Sequence, residues 1–253
     1  MVAIDQVLEK LSTVIDPDLK KDIVSMGMIK DLELNDGNLK FTLELTTPAC
    51  PFNVEIEDDV RKAIAELSDL KNFDLNVTAK VMEGRSLEAD TQMATVKNII
   101  GVASGKGGVG KSTVSLNLAL ALSQTGAKVG LLDADIYGPS IPLMLGMKDG
   151  SMEVEDNKLQ PADVNGLKVV SFGFFADQSN QAAIYRGPII SGILKQFLVD
   201  TNWSELDYLI VDLPPGTGDI PLTLAQTIPI TGILVITTPQ DVASNVAVKA
   251  VSM

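Results

Sequence analysis

The first part of the chain shows a helical hydrophobic period followed by two strand-like stretches. Residues 3–15 place apolar side chains three and four positions apart, which predicts a helix with one buried face, and Asp16-Pro17 ends that pattern. Residues 28–34 and 39–45 predict strands around Asn35-Asp36-Gly37-Asn38, a sequence typical of a tight hairpin turn. The pattern therefore predicts a helix and then a pair of neighbouring strands.

A second helix and a third strand complete this region. Pro51 begins the helix, whose first turn is acidic, as suits the positive end of the helix dipole. Residues 73–81 alternate between apolar and polar and predict a strand. The order α-β-β-α-β predicts a small α+β domain over residues 1–82, and residues 83–95, which lack any period, predict a linker. The apolar stripe of the second helix consists of Phe52, Ile56, Val60, Ile64 and Leu67.

From residue 96 onward, apolar runs of strand length alternate with helical segments, as a doubly wound parallel sheet requires. Several runs are almost continuously apolar, which is typical of strands buried on both faces. Residues 242–253 predict the beginning of a helix. Because no strand follows it, we expect an α/β domain over residues 96–253 that is truncated at its C-terminus. The predicted strands are Val96–Ala103, Val129–Asp133, Leu167–Phe172, Tyr208–Asp212 and Ile233–Thr237.

A glycine-rich loop separates the first of these strands from the next helix. It matches the phosphate-loop pattern and adds a second lysine, Lys106. The glycines allow backbone N–H groups to surround a polyphosphate, Lys111 supplies a positive charge and Ser112 can ligate Mg²⁺. A structural glycine turn is the alternative, but the strand–loop–helix order, which places the loop at a helix N-terminus, favours binding of a nucleoside triphosphate. The loop consists of Gly105, Lys106, Gly107, Gly108, Val109, Gly110, Lys111, Ser112 and Thr113.

Two further strand ends carry aspartates. Asp133 and Asp135 lie where the second predicted strand ends, and Asp212 ends the fourth. Because ligands of parallel sheets bind at the carboxyl ends of strands, these carboxylates are expected near the nucleotide, where they suit Mg²⁺ and an attacking water. The Pro-Pro-Gly sequence that follows suits a switch loop whose Gly216 amide senses a γ-phosphate. Loop-capping aspartates and a plain turn are the alternatives.

Three other segments have less specific patterns. Residues 237–241 follow the last strand, where they suit either a purine base or an ordinary loop. Arg186 suits a phosphate or a partner subunit, although such an arginine more often pairs with a surface carboxylate. Cys50 lies at a helix start, where a cysteine can act as a thiolate, and its alternative is a buried, inert side chain.

The composition narrows the function classes. A net charge of −13 argues against a nucleic-acid-binding face. The chain has no histidine, which excludes histidine acid–base chemistry and mixed cysteine–histidine zinc sites. A single cysteine excludes an internal disulfide and fits the reducing cytoplasm. No run of transmembrane length and no signal-peptide pattern is present, so no membrane partner is expected.

Together these segments resemble the Mrp/ApbC group of P-loop ATPases, iron–sulfur cluster carriers related to the Mrp/Nbp35 scaffolds. The resemblance covers nearly the whole chain. The phosphate loop alone is shared with a wider deviant-Walker class, but DADIYGPS and DLPPGTGD narrow the choice to the carriers. IDPDLKKDIVSMGMI at 15–29 and LTTPACP at 45–51 resemble the small iron–sulfur assembly domain that often precedes the ATPase. The ATPase segments are GKGGVGKST at 105–113, DADIYGPSIP at 133–142, YRGP at 185–188, DLPPGTGD at 212–219 and TTPQD at 237–241.

The resemblance implies a role for each residue of the site. Lys106 would be the signature lysine, which reaches the nucleotide of the opposite subunit in a homodimer. Lys111 would bind the β- and γ-phosphates and Thr113 would contact the α-phosphate. Asp135 would position the hydrolytic water, which makes it, with the two lysines, an implied catalytic residue. The implied ligands or neighbours of Mg²⁺ are Ser112, Asp133 and Asp212.

The resemblance also implies an activity. The chain would be a cytoplasmic, Mg²⁺-dependent ATPase that helps to assemble [4Fe–4S] clusters and transfers them to apoproteins, with assembly factors as further partners. Family members hold the cluster with a Cys-x-x-Cys pair that lies beyond the aligned segment, and this chain has no such pair. Either it is a fragment of a longer protein, which the early end of the sheet favours, or the cluster function is lost. Cys50 matches a cysteine position of the small domain, so its two interpretations remain open.

Two other functions compete with this one. A positioning ATPase of the ParA/MinD kind is the main alternative, but it predicts a basic DNA-binding patch or a C-terminal amphipathic helix, and the sequence shows neither. A reductase similar to the nitrogenase iron protein would need two cluster cysteines in the ATPase domain, and residues 96–253 contain none.

Overall fold

The chain forms two compact units, residues 1–82 and residues 83–253. Among the residues that the structure describes, buried apolar side chains form one cluster in the first unit and two in the second. Each unit therefore has a core of its own. The structure, a computed structural model, describes residues 2–67, 70–81, 93, 95–136, 138–147, 153–156, 158–174, 187–216 and 230–252.

The first unit has the predicted order of elements. Its sheet has the strand order β1-β2-β3, in which β1 pairs with β2 antiparallel through the predicted hairpin and β3 pairs with β2 in parallel. A parallel neighbour requires a crossover, and the second helix provides it. The elements are α1 (Ile4–Leu11), β1 (Ile29–Asn35), β2 (Asn38–Leu45), α2 (Asn53–Ala65) and β3 (Asn72–Ala79).

The core of this unit lies on one face of β2. Every second residue of this strand is buried, from Leu39 to Leu45, and the two helices contribute buried side chains to the same cluster. Helix α2 begins two residues after Pro51 and is shorter than the predicted stripe, since Phe52 precedes it and Leu67 follows it. Strand β3 ends at Ala79 rather than at residue 81, because beyond the last pair with Leu45 no partner strand continues.

The second unit alternates strands and helices as predicted. The five predicted strands are present, each with bounds within two residues of the prediction. The described elements are β4 (Val96–Ser104), α3 (Lys111–Gln124), β5 (Val129–Asp133), α4 (Ile141–Met144), β6 (Val154–Glu155), β7 (Lys158–Leu159), β8 (Ala162–Val164), β9 (Leu167–Ser171), α5 (Gly187–Val199), β10 (Leu206–Asp212), β11 (Gly232–Ile236) and α6 (Asp241–Ser252).

The main sheet of this unit has the strand order β11-β4-β10-β5-β9-β8. Its first five strands run parallel, and β8 pairs antiparallel with β9. The predicted doubly wound parallel sheet is confirmed, and β8 adds an antiparallel strand at its edge. The turn between β8 and β9 needs two residues with positive φ, and Asn165 and Gly166 supply them at 54° and 85°. The carboxyl ends of β4, β10 and β5 lie side by side and carry the candidate site.

None of the described helices combines the length and the apolar composition that a membrane crossing requires.

Candidate functional site

The phosphate loop connects β4 to the N-terminus of α3. Gly108 and Gly110 have φ angles of 77° and 91°, a conformation that glycine adopts without a steric penalty. Gly110 caps α3, and Lys111 is the first residue of the helix. The N–H groups of this first helical turn precede the regular hydrogen-bond pattern and are available to a ligand. The loop and the helix end together form an anion-binding site.

Four side chains meet beside the loop, three of them buried and Ser112 half-buried, and we call them the Asp212 cluster: Lys111, Ser112, Ser115 and Asp212. The Nζ atom of Lys111 lies 2.7 Å from Oδ1 of Asp212. The hydroxyl of Ser112 donates to Oδ2 of Asp212 at 2.6 Å, and that of Ser115 lies 2.6 Å from Oδ1. The side chain of Asp212 is fully buried and that of Lys111 is 7% exposed. The loop and the end of β10 are thus joined through one carboxylate.

Asp133 lies beside this cluster at the end of the neighbouring strand. It pairs with Asp212 across β5 and β10, and it is fully buried. Burial, together with the negative charge of Asp212, raises the pKa of Asp133 to about 6. The hydroxyl of Ser171 and the backbone N–H of Ile141 donate to Oδ2 of Asp133 at 3.0 and 3.2 Å. Two buried acidic side chains and one nearly buried lysine therefore lie close together at the ends of β5 and β10.

Asp135 and Gly216 lie in the loops that follow these two strands. Asp135 is half-buried, its N–H donates to Oδ1 of Asp133, and its own Oδ1 accepts the N–H of Gly138 at 3.2 Å. The N–H of Gly216 donates to the carbonyl oxygen of Ser104 at 2.8 Å, and the φ angle of Gly216 is 106°. The amide expected to sense a phosphate is therefore paired with the end of β4 here, and its role stays a prediction.

The first glycine of the loop has a different reason to be glycine. A Cβ atom placed on Gly105 would lie 2.6 Å from Cγ1 of Val246 and 3.1 Å from its backbone carbonyl carbon. Val246 belongs to α6, which begins at the end of the mostly exposed 237–241 segment. Gly105 is therefore required by close packing against a helix, whereas Cβ atoms on Gly107, Gly108 and Gly110 would meet no atom within 4 Å.

The remaining candidates lie apart from the Asp212 cluster or outside the described residues. Lys106 is exposed on the loop. Cys50 is half-buried in the first unit between β2 and α2, where it packs against the apolar cluster and its N–H donates to the carbonyl of Thr47 at 3.3 Å. This environment is compatible with both interpretations of the cysteine. Arg186 and Asp219 lie outside the described residues.

Two residues of the site were missed from the sequence, Ser115 and Ser171. Each is fully buried, and each donates its hydroxyl to one of the two strand-end carboxylates. The signal for Ser115 is its spacing, because residues three apart on a helix share a face and Ser112 precedes it by three. For Ser171 the signal is its place at the end of β9, where its register partner is Asp133.

The arrangement suits a divalent cation that also contacts phosphate. Hydroxyl and carboxylate oxygens are the ligands that Mg²⁺ prefers. Two such oxygens, Oγ of Ser112 and Oδ2 of Asp212, lie 2.6 Å from each other. Among the described residues, no group of three or more acidic, histidine or cysteine side chains could hold a metal ion. Mg²⁺ would therefore need ligands from the phosphates and from water, as it commonly does in nucleotide sites.

Two family models match the chain, one in each unit. The model of the NUBPL iron-transfer P-loop NTPases matches residues 95–253, and the model of an iron–sulfur cluster assembly protein matches residues 4–73. The two matches fall in the second and the first unit respectively.

Curated relatives extend over both units. An iron–sulfur cluster carrier protein of Synechocystis sp. is 49% identical over 247 residues, which cover 96% of this chain and 70% of the relative. The chloroplastic Fe-S cluster assembly factor HCF101 of Arabidopsis thaliana is 46% identical over 254 residues, 98% of this chain and 47% of the relative. The chain thus spans about half the length of the plant relative.

A solved structure shares the fold. A nucleotide-binding protein from Archaeoglobus fulgidus, determined in complex with ADP, superimposes with a TM-score of 0.54 at 39% identity. The match covers 64% of this chain and 63% of that one.

Proposed function

The chain belongs to the family of NUBPL iron-transfer P-loop NTPases, and from this premise we propose that it hydrolyses Mg²⁺·ATP and uses that cycle to assemble and deliver iron–sulfur clusters. One observation carries the nucleotide part of the proposal: Lys111 and Ser112 of the phosphate loop meet Asp212 at the end of β10. The cargo part rests on the names of the relatives, which are carriers and assembly factors.

Nucleotide binding would exchange the partners within the Asp212 cluster. The ammonium group of Lys111 would leave Asp212 for the β- and γ-phosphates, because a phosphate oxygen offers it a stronger charge. The hydroxyl of Ser112 would then turn one lone pair toward the metal, with Asp212 beside it. A bound Mg²⁺ would neutralise part of the negative charge on the β- and γ-phosphates.

The remaining roles follow from position. Asp135, in the loop after β5, would hold the attacking water, and the three hydrogen bonds that Asp133 accepts would keep that loop in place. Lys106 is exposed, which suits a lysine that reaches a nucleotide in a second subunit, so we assign a homodimer to the active state. A chain without membrane-crossing helices among its described residues suits a cytoplasmic carrier.

The cluster is the cargo, and it needs thiolate ligands. Cys50 is the single cysteine of the chain, so each subunit offers one thiolate from this sequence. The recipients would be apoproteins that bind iron–sulfur clusters, and the donors would be assembly factors. The relatives that suggest this activity are longer than the chain, since it covers 70% of the cyanobacterial carrier.

Two measurements test the two parts separately. Phosphate release from ATP should require Mg²⁺ and should stop when EDTA is added, and Mg²⁺-independent release or none would contradict the nucleotide part. For the cargo part, the chain is reconstituted anaerobically with Fe²⁺ and sulfide and mixed with an apo-ferredoxin. The expected result is activation of the apo-ferredoxin, and its absence would contradict the cargo part. Comparison with Cys50→Ser decides between the two interpretations of the cysteine: weaker activation indicates a thiolate that contacts the cluster, and unchanged activation indicates an inert side chain.

A further inference from the structure

The side chain of Ser115 has no place in the phosphate-loop pattern, yet it belongs to the Asp212 cluster. It lies in the second turn of α3 and is fully buried. Its Oγ lies 2.6 Å from Oδ1 of Asp212 and 3.0 Å from the carbonyl oxygen of Lys111. A buried hydroxyl that contacts a buried carboxylate at so short a distance makes a strong hydrogen bond.

The described donors to Asp212 fall into two kinds. Lys111 and Ser112 belong to the loop, and the proposed function gives both of them new partners when nucleotide and metal bind. Ser115 lies one turn deeper and has no exposed surface through which a ligand could reach it. It is therefore the donor of this cluster that can stay on Asp212 throughout the cycle.

The position of Ser115 decides which oxygen of Asp212 faces the phosphate loop. Ser115 holds Oδ1, and the other oxygen, Oδ2, faces the hydroxyl of Ser112. The same arrangement occurs one strand away, where the buried hydroxyl of Ser171 holds Oδ2 of Asp133. Each strand-end carboxylate of the site thus has a buried serine that fixes its orientation.

We propose that Ser115 is a positioning residue: its hydroxyl holds Oδ1 of Asp212 so that Oδ2 is aimed at the divalent cation when a nucleotide is bound. The proposal rests on the proposed function, since it concerns the metal of the same site. Loss of such an outer partner commonly weakens metal binding about 10- to 100-fold. The nucleotide itself contacts the loop rather than Ser115, so its affinity without metal should change little.

The test separates metal binding from nucleotide binding in Ser115→Ala and Ser115→Cys. Alanine is the best helix former, and cysteine fills the place of the hydroxyl with a somewhat larger sulfur that is only a weak donor. ADP affinity is measured calorimetrically in EDTA, and Mn²⁺ affinity of the ADP complex by electron paramagnetic resonance. Both variants should bind Mn²⁺ about tenfold more weakly than the wild type and ADP within twofold of it. Ser123→Ala, which removes a hydroxyl from the same helix, is the control and should match the wild type.

Each other outcome has a definite meaning. If Ser115→Ala binds Mn²⁺ as the wild type does, the hydroxyl is not needed and the proposal is overturned. If only Ser115→Cys does so, the loss in alanine comes from the cavity rather than from the missing hydrogen bond, and the proposal is also overturned. If ADP affinity in EDTA falls as much as Mn²⁺ affinity, the role is structural and the proposal also fails. If the wild type itself binds no Mn²⁺·ADP, it is the proposed function that fails. Should Ser115→Ala not fold, the Mn²⁺ affinity of the cysteine variant alone decides the outcome.

Discussion

Strand β10 carries an aspartate at each end, and both aspartates are paired with lysines. Near its start, Oδ1 of Asp207 lies 2.6 Å from Nζ of Lys97, and at its end Oδ1 of Asp212 lies 2.7 Å from Nζ of Lys111. The distances are nearly equal, but the surroundings differ. The side chains of the first pair are 15% and 36% exposed, whereas those of the second are 0% and 7% exposed. Distance alone does not distinguish the two pairs.

The balance of charge around each pair does distinguish them. Burial raises the pKa of Asp207, but hydrogen bonds from Lys97 and from the backbone N–H of Lys128 outweigh it and hold the pKa below its usual value. At the other end, Asp133 stands beside Asp212, and its pKa rises to about 6. The first pair is electrically satisfied. The second pair has an additional buried carboxylate beside it, and this excess of negative charge would favour a further cation.

The largest expected difference is in catalysis. Lys111→Ala should lower the rate of ATP hydrolysis about 10²- to 10³-fold, because it removes a charge aimed at the phosphates. Lys97→Ala, at the other end of the strand, should stay within about twofold of the wild type, since it loses only an outlying ion pair. Phosphate release at saturating Mg²⁺·ATP measures the rate in both variants. Similar losses in the two would show that the two ion pairs of β10 do not differ in function.

The next difference concerns the metal. Mg²⁺ should raise the affinity for ADP, and Asp212→Asn should reduce that gain by up to about a hundredfold. The reason is that an amide is a poorer metal ligand than a carboxylate. Asp207→Asn is the matched variant and should leave that dependence unchanged. Calorimetric titration with ADP, with and without Mg²⁺, compares them. A metal effect that survives in Asp212→Asn would place the cation elsewhere.

Stability should depend on pH through Asp133. Its pKa is about 6 in the folded chain against an ordinary 3.8, so the folded chain binds this proton more tightly. The resulting stability is present below pH 3.8 and is lost as the pH rises through 6. Asp133→Asn does not titrate at this position, so its free energy of unfolding relative to the wild type should rise by about 2 kcal/mol between pH 4 and pH 8.

Denaturant titrations at four pH values measure this gain. The fluorescence of Trp203, the only tryptophan and a buried residue of the second unit, reports on the unit concerned. Asp207→Asn is the control, because the pKa of Asp207 is lowered and its contribution is lost only as the pH falls below about 4. A gain that does not vary with pH would mean that Asp133 titrates normally.

The smallest effect is expected for the partly exposed pair of Lys97 and Asp207 itself. Lys97→Met should lower the free energy of unfolding by less than about 1 kcal/mol, since partly exposed ion pairs contribute little. The difference should shrink further in 1 M salt, which screens such charges. A larger, salt-independent loss would show that packing of the lysine stem, rather than its charge, stabilises this end of β10.

Periodicity and local motifs predicted most of the fold. Buried strands such as β5 and β10 were found within two residues because their apolar runs have no other explanation. Strand β8 was missed because three half-exposed residues are too short to show a period. Its hairpin turn, Asn165-Gly166, was the available signal.

The site was predicted as a set of residues but not as an arrangement. Lys111 and Asp212 are far apart in sequence, and only the register of the sheet brings Asp212 beside Asp133. The raised pKa of Asp133 follows from that register and from burial, neither of which a sequence displays. Ser115 was missed because a serine within a helix is usually a surface residue.

The contact between Gly105 and Val246 bears on protein design. The space of a single side chain is shared between the first residue of the phosphate loop and the middle of α6. The loop therefore cannot be moved into another protein by its sequence alone. The new protein would also need a helix packed against the first glycine at the same distance. Positions 105 and 246 are therefore coupled in design: any side chain at 105 would need a residue smaller than valine at 246 and a small shift of the α6 backbone, which would lie 3.1 Å from the added Cβ.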